Sequence, residues 1–334
     1  MRPALAVAAA VLLAGCSSLA SFQQRAMSGT ATHRVVGESD EFIVVSATGG
    51  ETAESLARTY LGNPAKSWMI EDFMGGRSFA RGQEVVIPKK PWNVSGIEAI
   101  GYQLVPVLVY HNIGKEARGR LVLGVDAFTE QMRYLKTNGF RVVSVAEFVE
   151  WLQLKRQLPK KTVVLTFDDG YRSFRDFAYP VLKELRFTAT LFVYTDYVGA
   201  GRNALSWDDL KALAAEGFDV QAHSKSHGDL RRGPHEGDAQ YARRMQAELI
   251  EAPRTLARSV GRPVSFLAYP YGRADDAVLA KVKDQGYQAA FTVRRESNAA
   301  FVDVLRIGRS QVYAEMTLEQ FAKNLNAFHP ENLR

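Results

Sequence analysis

One cysteine, Cys16, stands in a chain of 334 residues, so no disulfide can form within it. A chain of this length, 46% hydrophobic, buries a core large enough to do without one. Histidine is scarce as well, with six in all, which gives weight to any that cluster. The net charge is only +6 at pH 7, and no basic stretch interleaves with aromatic residues. Nucleic acid is therefore not an expected partner. The short runs Lys89-Lys90 and Arg231-Arg232 read as solvated surface. The apolar run from Ala4 to Ala14 is too short to span a bilayer; with Arg2 as the one charge before it, it reads as a secretory signal. Neither an internal repeat nor a low-complexity tract interrupts the main region.

What the chain does have is polar chemistry at the ends of apolar runs. Val163-Val164-Leu165 leads into Thr166-Phe167-Asp168-Asp169-Gly170. A strand covered on both faces takes charge only at its end, and two adjacent carboxylates there repel unless a cation sits nearby. The plainer reading of Asp-Asp-Gly is a helix N-cap after a strand. Phe218-Asp219-Val220 precedes His223-Ser224-Lys225-Ser226-His227, and imidazoles four apart can face the same way and suit one metal ion. A carboxylate with two imidazoles is a ligand set for catalytic zinc. Asp169, His223 and His227 would supply that set for a divalent metal, zinc by preference, leaving Asp168 as a base. Val105 to Tyr110 reads as a strand delivering His111, and Val264 to Tyr269 as one ending in Pro270-Tyr271-Gly272. Strand–helix alternation predicts a parallel α/β sheet, and in a closed parallel barrel all strand C-termini meet on one face.

Thr166 to Gly170, His223 to His227 and Ala268 to Gly272 resemble successive motifs of the polysaccharide deacetylase family, the NodB-homology or carbohydrate esterase family four group. The resemblance covers about residues 102–330 and implies a distorted (β/α) barrel of about seven strands. It implies that Asp168 is the general base, that Asp169, His223 and His227 bind the metal, and that the Tyr271 N–H meets the oxyanion. Tyr110-His111-Asn112-Ile113 resembles the circularly permuted branch, which includes poly-N-acetylglucosamine deacetylases and places the acid histidine before the Asp-Asp motif. His111 is then the expected general acid, with His329 the alternative. Many members carry an arginine where Ala268 stands, to orient the catalytic aspartate; here Arg306 or Arg309 would have to do so. Pro270, Tyr269, Tyr271 and Trp207 are expected at the sugar, with packing the competing role for the three aromatics. The implied reaction is removal of N-acetyl groups from an N-acetylglucosamine-containing polysaccharide, an exopolysaccharide or peptidoglycan. O-acetyl ester hydrolysis and a catalytically silent glycan-binding lipoprotein are the competing readings.

Leu13-Ala14-Gly15-Cys16 resembles the bacterial lipobox, which implies removal of residues 1–15 and a lipid on Cys16 that anchors the chain to a membrane. Ser17 favours the outer membrane, facing the periplasm. Residues 16–40 read as a flexible tether. Residues 41–90 read as strand–helix–helix–strand, and Gly82-Gln83-Glu84-Val85-Val86-Ile87-Pro88 resembles the close of a LysM domain, which implies peptidoglycan as a partner. Residues 91–101 form a linker. Within the main region Asp126 is expected to cap a helix, Ser206 with Asp209 to form a capping box, and Pro253 to bend or break a helix from about 239 to 260.

Overall fold

The computed structural model describes residues 34–333. The signal and Cys16 lie outside the described residues. The segment expected as a tether ends in a strand, β1 (Arg34–Glu38), paired antiparallel with β2 (Phe42–Ser46). α1 (Ala53–Leu61), α2 (Ser67–Met74) and β3 (Glu84–Pro88), antiparallel to β2, complete a small unit. Thr52 caps α1 in a reciprocal pair with Ser55. Alternation on β2 sends Ile43 and Val45 inward, against Leu56, Ala57, Ile70, Val85 and Ile87.

Short strands β4 (Ile97–Glu98) and β5 (Gly101–Gln103) lead to β6 (Val105–Tyr110). A parallel pair, β7 (Asn112–Gly114) and β8 (Val122–Gly124), precedes α3 (Val125–Thr137). Then come β9 (Arg141–Val143), α4 (Val145–Leu152), β10 (Thr162–Asp169), α5 (Tyr179–Leu185), β11 (Thr190–Val193), α6 (Trp207–Ala215) and β12 (Asp219–Ala222). α7 (Asp238–Gln246), α8 (Ala252–Val260), β13 (Phe266–Ala268), α9 (Asp276–Asp284) and β14 (Ala289–Phe291) continue the alternation. β15 (Ser297–Asn298), β16 (Ser310–Gln311), α10 (Leu318–Ala322) and β17 (Phe328–Pro330) end it.

The mixed α/β region is built on a curled half-barrel of seven strands in the order β14-β13-β12-β11-β10-β6-β15, parallel from β14 through β6. β6 and β10 are buried along their whole length, which suits their unbroken apolar runs. The segment from Ile307 to Gln311 spans the two edges: Ile307 pairs with Phe291, and Ser310 and Gln311 pair with Leu108 and Val109. Gly308 permits that approach, because a Cβ there would lie 2.2 Å from Glu296 Cγ and 2.8 Å from the Arg294 carbonyl.

Two local expectations change. Gly124, not Asp126, is the N-cap of α3; Asp126 sits inside the first turn. Pro253 does not break the helix. α7 runs into α8 through a π turn, Ala247–Glu251, and Pro253 falls in the first turn of α8. The donor that proline removes would have reached the Leu249 carbonyl, which accepts the Tyr287 hydroxyl instead at 3.0 Å. Ser206 does make the reciprocal cap with Asp209.

The N-terminal unit sits against the start of the strands. Arg141 Nη2 bonds Ser67 Oγ at 3.1 Å and Glu71 Oε1 at 3.2 Å, while the Lys160 N–H donates to Asp72 Oδ2 at 2.9 Å. Trp68 and Phe73 meet Trp92 of the linker with ring centroids 6.3 and 5.4 Å apart. Among the described residues no helix is long and apolar enough to cross a membrane.

Candidate active site

Parallel register carries the polar residues to one rim. Tyr110 lies opposite Phe167, Asp169 opposite Val193, and Val193 opposite Ala222, so the next residues on β6 and β12, His111 and His223, emerge beside the aspartate pair. Among the described residues Asp169 Oδ1 is buried without a hydrogen-bond partner, with His227 Nε2 at 3.3 Å and His223 Nε2 at 3.6 Å. Ligand atoms of these three residues lie within 4.8 Å of one another. His223 Nδ1 is 2.7 Å from the Ala268 carbonyl, so that nitrogen carries the proton and Nε2 offers its lone pair to the centre. An orphaned carboxylate oxygen facing imidazole lone pairs fits a divalent cation. The donor set is of the kind zinc takes.

Asp168 is held by an arginine from the bridging segment. Arg309, wholly buried, donates from Nη1 to Oδ1 and from Nη2 to Oδ2, both at 2.7 Å. Its Nε bonds the Thr292 carbonyl at 2.9 Å and Nη1 reaches Thr166 Oγ1 at 3.2 Å. Arg306 pairs instead with Asp276 and Asp303 at the surface. Burial pushes Asp168 up, but the Arg309 guanidinium outweighs it and holds the carboxyl at about 2. Asp169 has no such partner: burial raises it to about 6, with the neighbouring Asp168 charge adding to the rise. Burial lowers His223 to about 4 and lowers His227, so both are neutral near pH 7, as metal ligands must be.

The site is conformationally strained. Asp169 (φ 75°), Ser224 (φ 73°), His227 (φ 60°) and Tyr271 (φ 59°) all adopt left-handed backbone, which costs about 1–3 kcal/mol for residues with a Cβ. Gly272 follows at φ +68°, where a Cβ would lie 2.6 Å from the Val293 nitrogen. The 3₁₀ turn here is closed by the Gly272 N–H to Tyr269 O and the Arg273 N–H to Pro270 O, so the Tyr271 N–H takes no part in it.

Several expected sugar contacts are corrected. Tyr269 is fully buried and donates its hydroxyl to the Leu305 carbonyl; Pro270 is buried too. Trp207 is half-buried against the main core. Tyr271 is exposed, with its ring 4.7 Å from that of His227. His329 stacks on Tyr102 of β5 at 4.8 Å, at the end of the strands where β6 begins, and is removed as the alternative acid. Sequence reasoning missed three tyrosines. Burial and then the charge of nearby Asp169 push the Tyr171 hydroxyl up, Tyr194 lies 5.1 Å from the His227 ring, and Tyr197 stacks on Tyr194 at 5.2 Å. Tyr194 directly follows the apolar run of β11, the same strand-end signal that marks His111.

Comparison with known proteins agrees with this geometry. Residues 155–290 match the polysaccharide deacetylase family model, a span containing Asp168, Asp169, His223 and His227 but neither His111 nor Arg309. Relatives include the poly-beta-1,6-N-acetyl-D-glucosamine N-deacetylase of Escherichia coli, 24% identical in an alignment of 281 positions that covers 73% of this chain. The Bacillus subtilis protein YxkH is 26% identical over 188 residues, 56% of this chain. The chain spans 40% of the length of the first relative and 64% of the second. The Streptococcus pyogenes deacetylase PplD, solved with acetate, superposes with a TM-score of 0.61 at 25% identity, over 67% of this chain and 98% of that one.

With Asp169 as a ligand, its raised carboxyl would make metal uptake proton-linked. At pH 5.5 the Asp169 carboxyl, near 6, is mostly protonated and at pH 7.5 mostly ionised, so zinc binding should draw more proton release from it at the lower pH. Calorimetry of the metal-free protein in buffers of different ionisation enthalpy reads this directly. At pH 5.5, release by Asp169→Asn equal to that of the parent would show that Asp169 is not a ligand.

Proposed function

We propose that this chain is a metal-dependent hydrolase that removes N-acetyl groups from an N-acetylglucosamine polysaccharide, with poly-β-1,6-N-acetylglucosamine the favoured class. The observation that carries the reading is the pairing of an arginine-clamped Asp168 with an orphaned Asp169 facing two imidazoles. Asp169, His223 and His227 hold the cation, which when bound polarises the acetamide carbonyl and acidifies water. Asp168, kept ionised by Arg309, takes the proton of the attacking water. The Tyr271 N–H donates to the developing oxyanion. His111 protonates the departing nitrogen, without which an amine leaves poorly. An acid placed at this rim favours amide over ester hydrolysis, since esters need far less help with the leaving group.

The 34–90 unit serves as a LysM-like glycan anchor for peptidoglycan, and Cys16 carries a lipid that fixes the chain in the outer membrane, facing the periplasm. Because the unit docks where the strands begin, it holds polymer away from the catalytic rim instead of feeding it. A chain lacking residues 34–90 should keep activity on short oligosaccharides and lose retention on insoluble glycan. Equal retention would make the unit a spacer. The reaction itself is tested by acetate release and product mass spectrometry on purified β-1,6-linked and peptidoglycan substrates, with chelation and zinc restoration as controls. Failure to release acetate from either polymer would remove the reading.

A further inference from the structure

The turn between the two histidines is gripped by a buried carboxylate with no part in the chemistry above. Glu248, 4% exposed, accepts the Lys225 N–H at 2.7 Å and the Ser226 N–H at 3.0 Å on Oε2, and the Ser226 hydroxyl at 2.6 Å on Oε1. Among the described residues it forms no ion pair; the Lys225 ammonium turns away to Asp196 at 2.7 Å. A buried carboxylate without a cationic partner is costly unless its charge is used. Its field acts on His227. Glu248 stands in the π turn Ala247–Glu251, the local widening that lets the helix accept Pro253, and such turns recur at functional sites.

We propose that Glu248 is a positioning residue for the metal centre, an inference that rests on the metal reading above. Ser224 and His227 flank the gripped residues in left-handed backbone; the His227 N–H donates to Ser224 Oγ at 3.1 Å, and Glu248 fixes the two residues between them. Three hydrogen bonds to one rigid helix hold Lys225 and Ser226 in place, so that both Nε2 atoms face Asp169 before any ion arrives. Asp168, Asp169 and Glu248 against Arg309 leave this buried centre with a double negative charge, which a divalent cation neutralises.

The test uses the full chain stripped of metal, with zinc affinity measured by competition against a chromogenic chelator, at a temperature where circular dichroism shows every variant folded. Glu248→Gln should weaken zinc binding by roughly 10–100-fold, the usual cost of losing a group that orients a ligand. Ser226→Ala, which loses one of the three bonds and keeps the charge, should weaken it less. A purely architectural Glu248 would lower the melting temperature of the metal-free protein and leave zinc affinity at the parent value, which overturns the proposal. Should Glu248→Gln not fold, Ser226→Ala decides: parent affinity there overturns the proposal too. A parent protein that takes up no zinc would instead remove the metal reading itself, a failure distinct from one confined to the variants.

Discussion

His111→Ala is expected to lower turnover on N-acetylated glycan by roughly 10²–10⁴-fold, the range for a lost general acid, with metal content unchanged. The residue follows β6, one step beyond the Tyr110–Phe167 pair, so it stands alongside Asp168 at the rim. The ring is half-buried, and among the described residues its Nδ1, turned away from solvent, has no partner. The defect should shrink on activated aryl esters, whose leaving groups need little protonation. Asp168→Asn should impair both substrates, because water must be activated in either case. Loss of zinc from His111→Ala, or near-normal amide hydrolysis by it, would place the acid elsewhere.

Arg309→Met should destabilise the fold by about 3–5 kcal/mol, because it strands a buried carboxylate. The effect should depend on pH, and its sign follows from Asp168. In the parent the folded value, about 2, lies below the unfolded one near 3.8, so the pair's stabilisation is complete above about pH 4 and fades as pH falls towards 2. In the variant, burial acts without the guanidinium and against only His223 and His111, and should raise Asp168 above its unfolded value. The variant then loses stability as pH rises through that interval, while the parent does not. Urea denaturation at pH 4.5 and 7.5 should show a wider gap between the two proteins at the higher pH. Catalysis should fall as well, since a protonated Asp168 cannot take a proton from water. A gap independent of pH would show that Arg309 acts on packing alone.

The strand-end rule explains how much of the site was legible. Asp168, Asp169 and His111 each end or directly follow an apolar run, His223 directly follows the mixed strand β12, and parallel register brings such ends together. The arginine clamp was legible only as a choice. Arg306 and Arg309 stand three apart in an irregular segment, where no periodicity says which side chain enters the barrel; the edge-bridging pairs of Ile307 and Ser310 decide it. Tyr269 and Tyr271 are similarly close in sequence, but one closes β13's buried layer and the other tops a strained turn. β1 escaped because Val35 and Val36 are both about half exposed, so the edge strand lacks an apolar alternation. Pro253 signalled a discontinuity correctly in chemical terms, yet a π turn and the Tyr287 hydroxyl absorb it.

The most direct measurement pairs metal content with acetate release for the parent and for His223→Ala. His223 is buried, fixed by the Ala268 carbonyl, and aimed at Asp169, so its removal takes away one of the three clustered ligand atoms. The parent should hold about one zinc per chain and release acetate from β-1,6-linked N-acetylglucosamine oligomers. His223→Ala should hold none and release none, with added zinc giving no recovery. Full zinc occupancy and parent-like acetate release in His223→Ala would contradict the account.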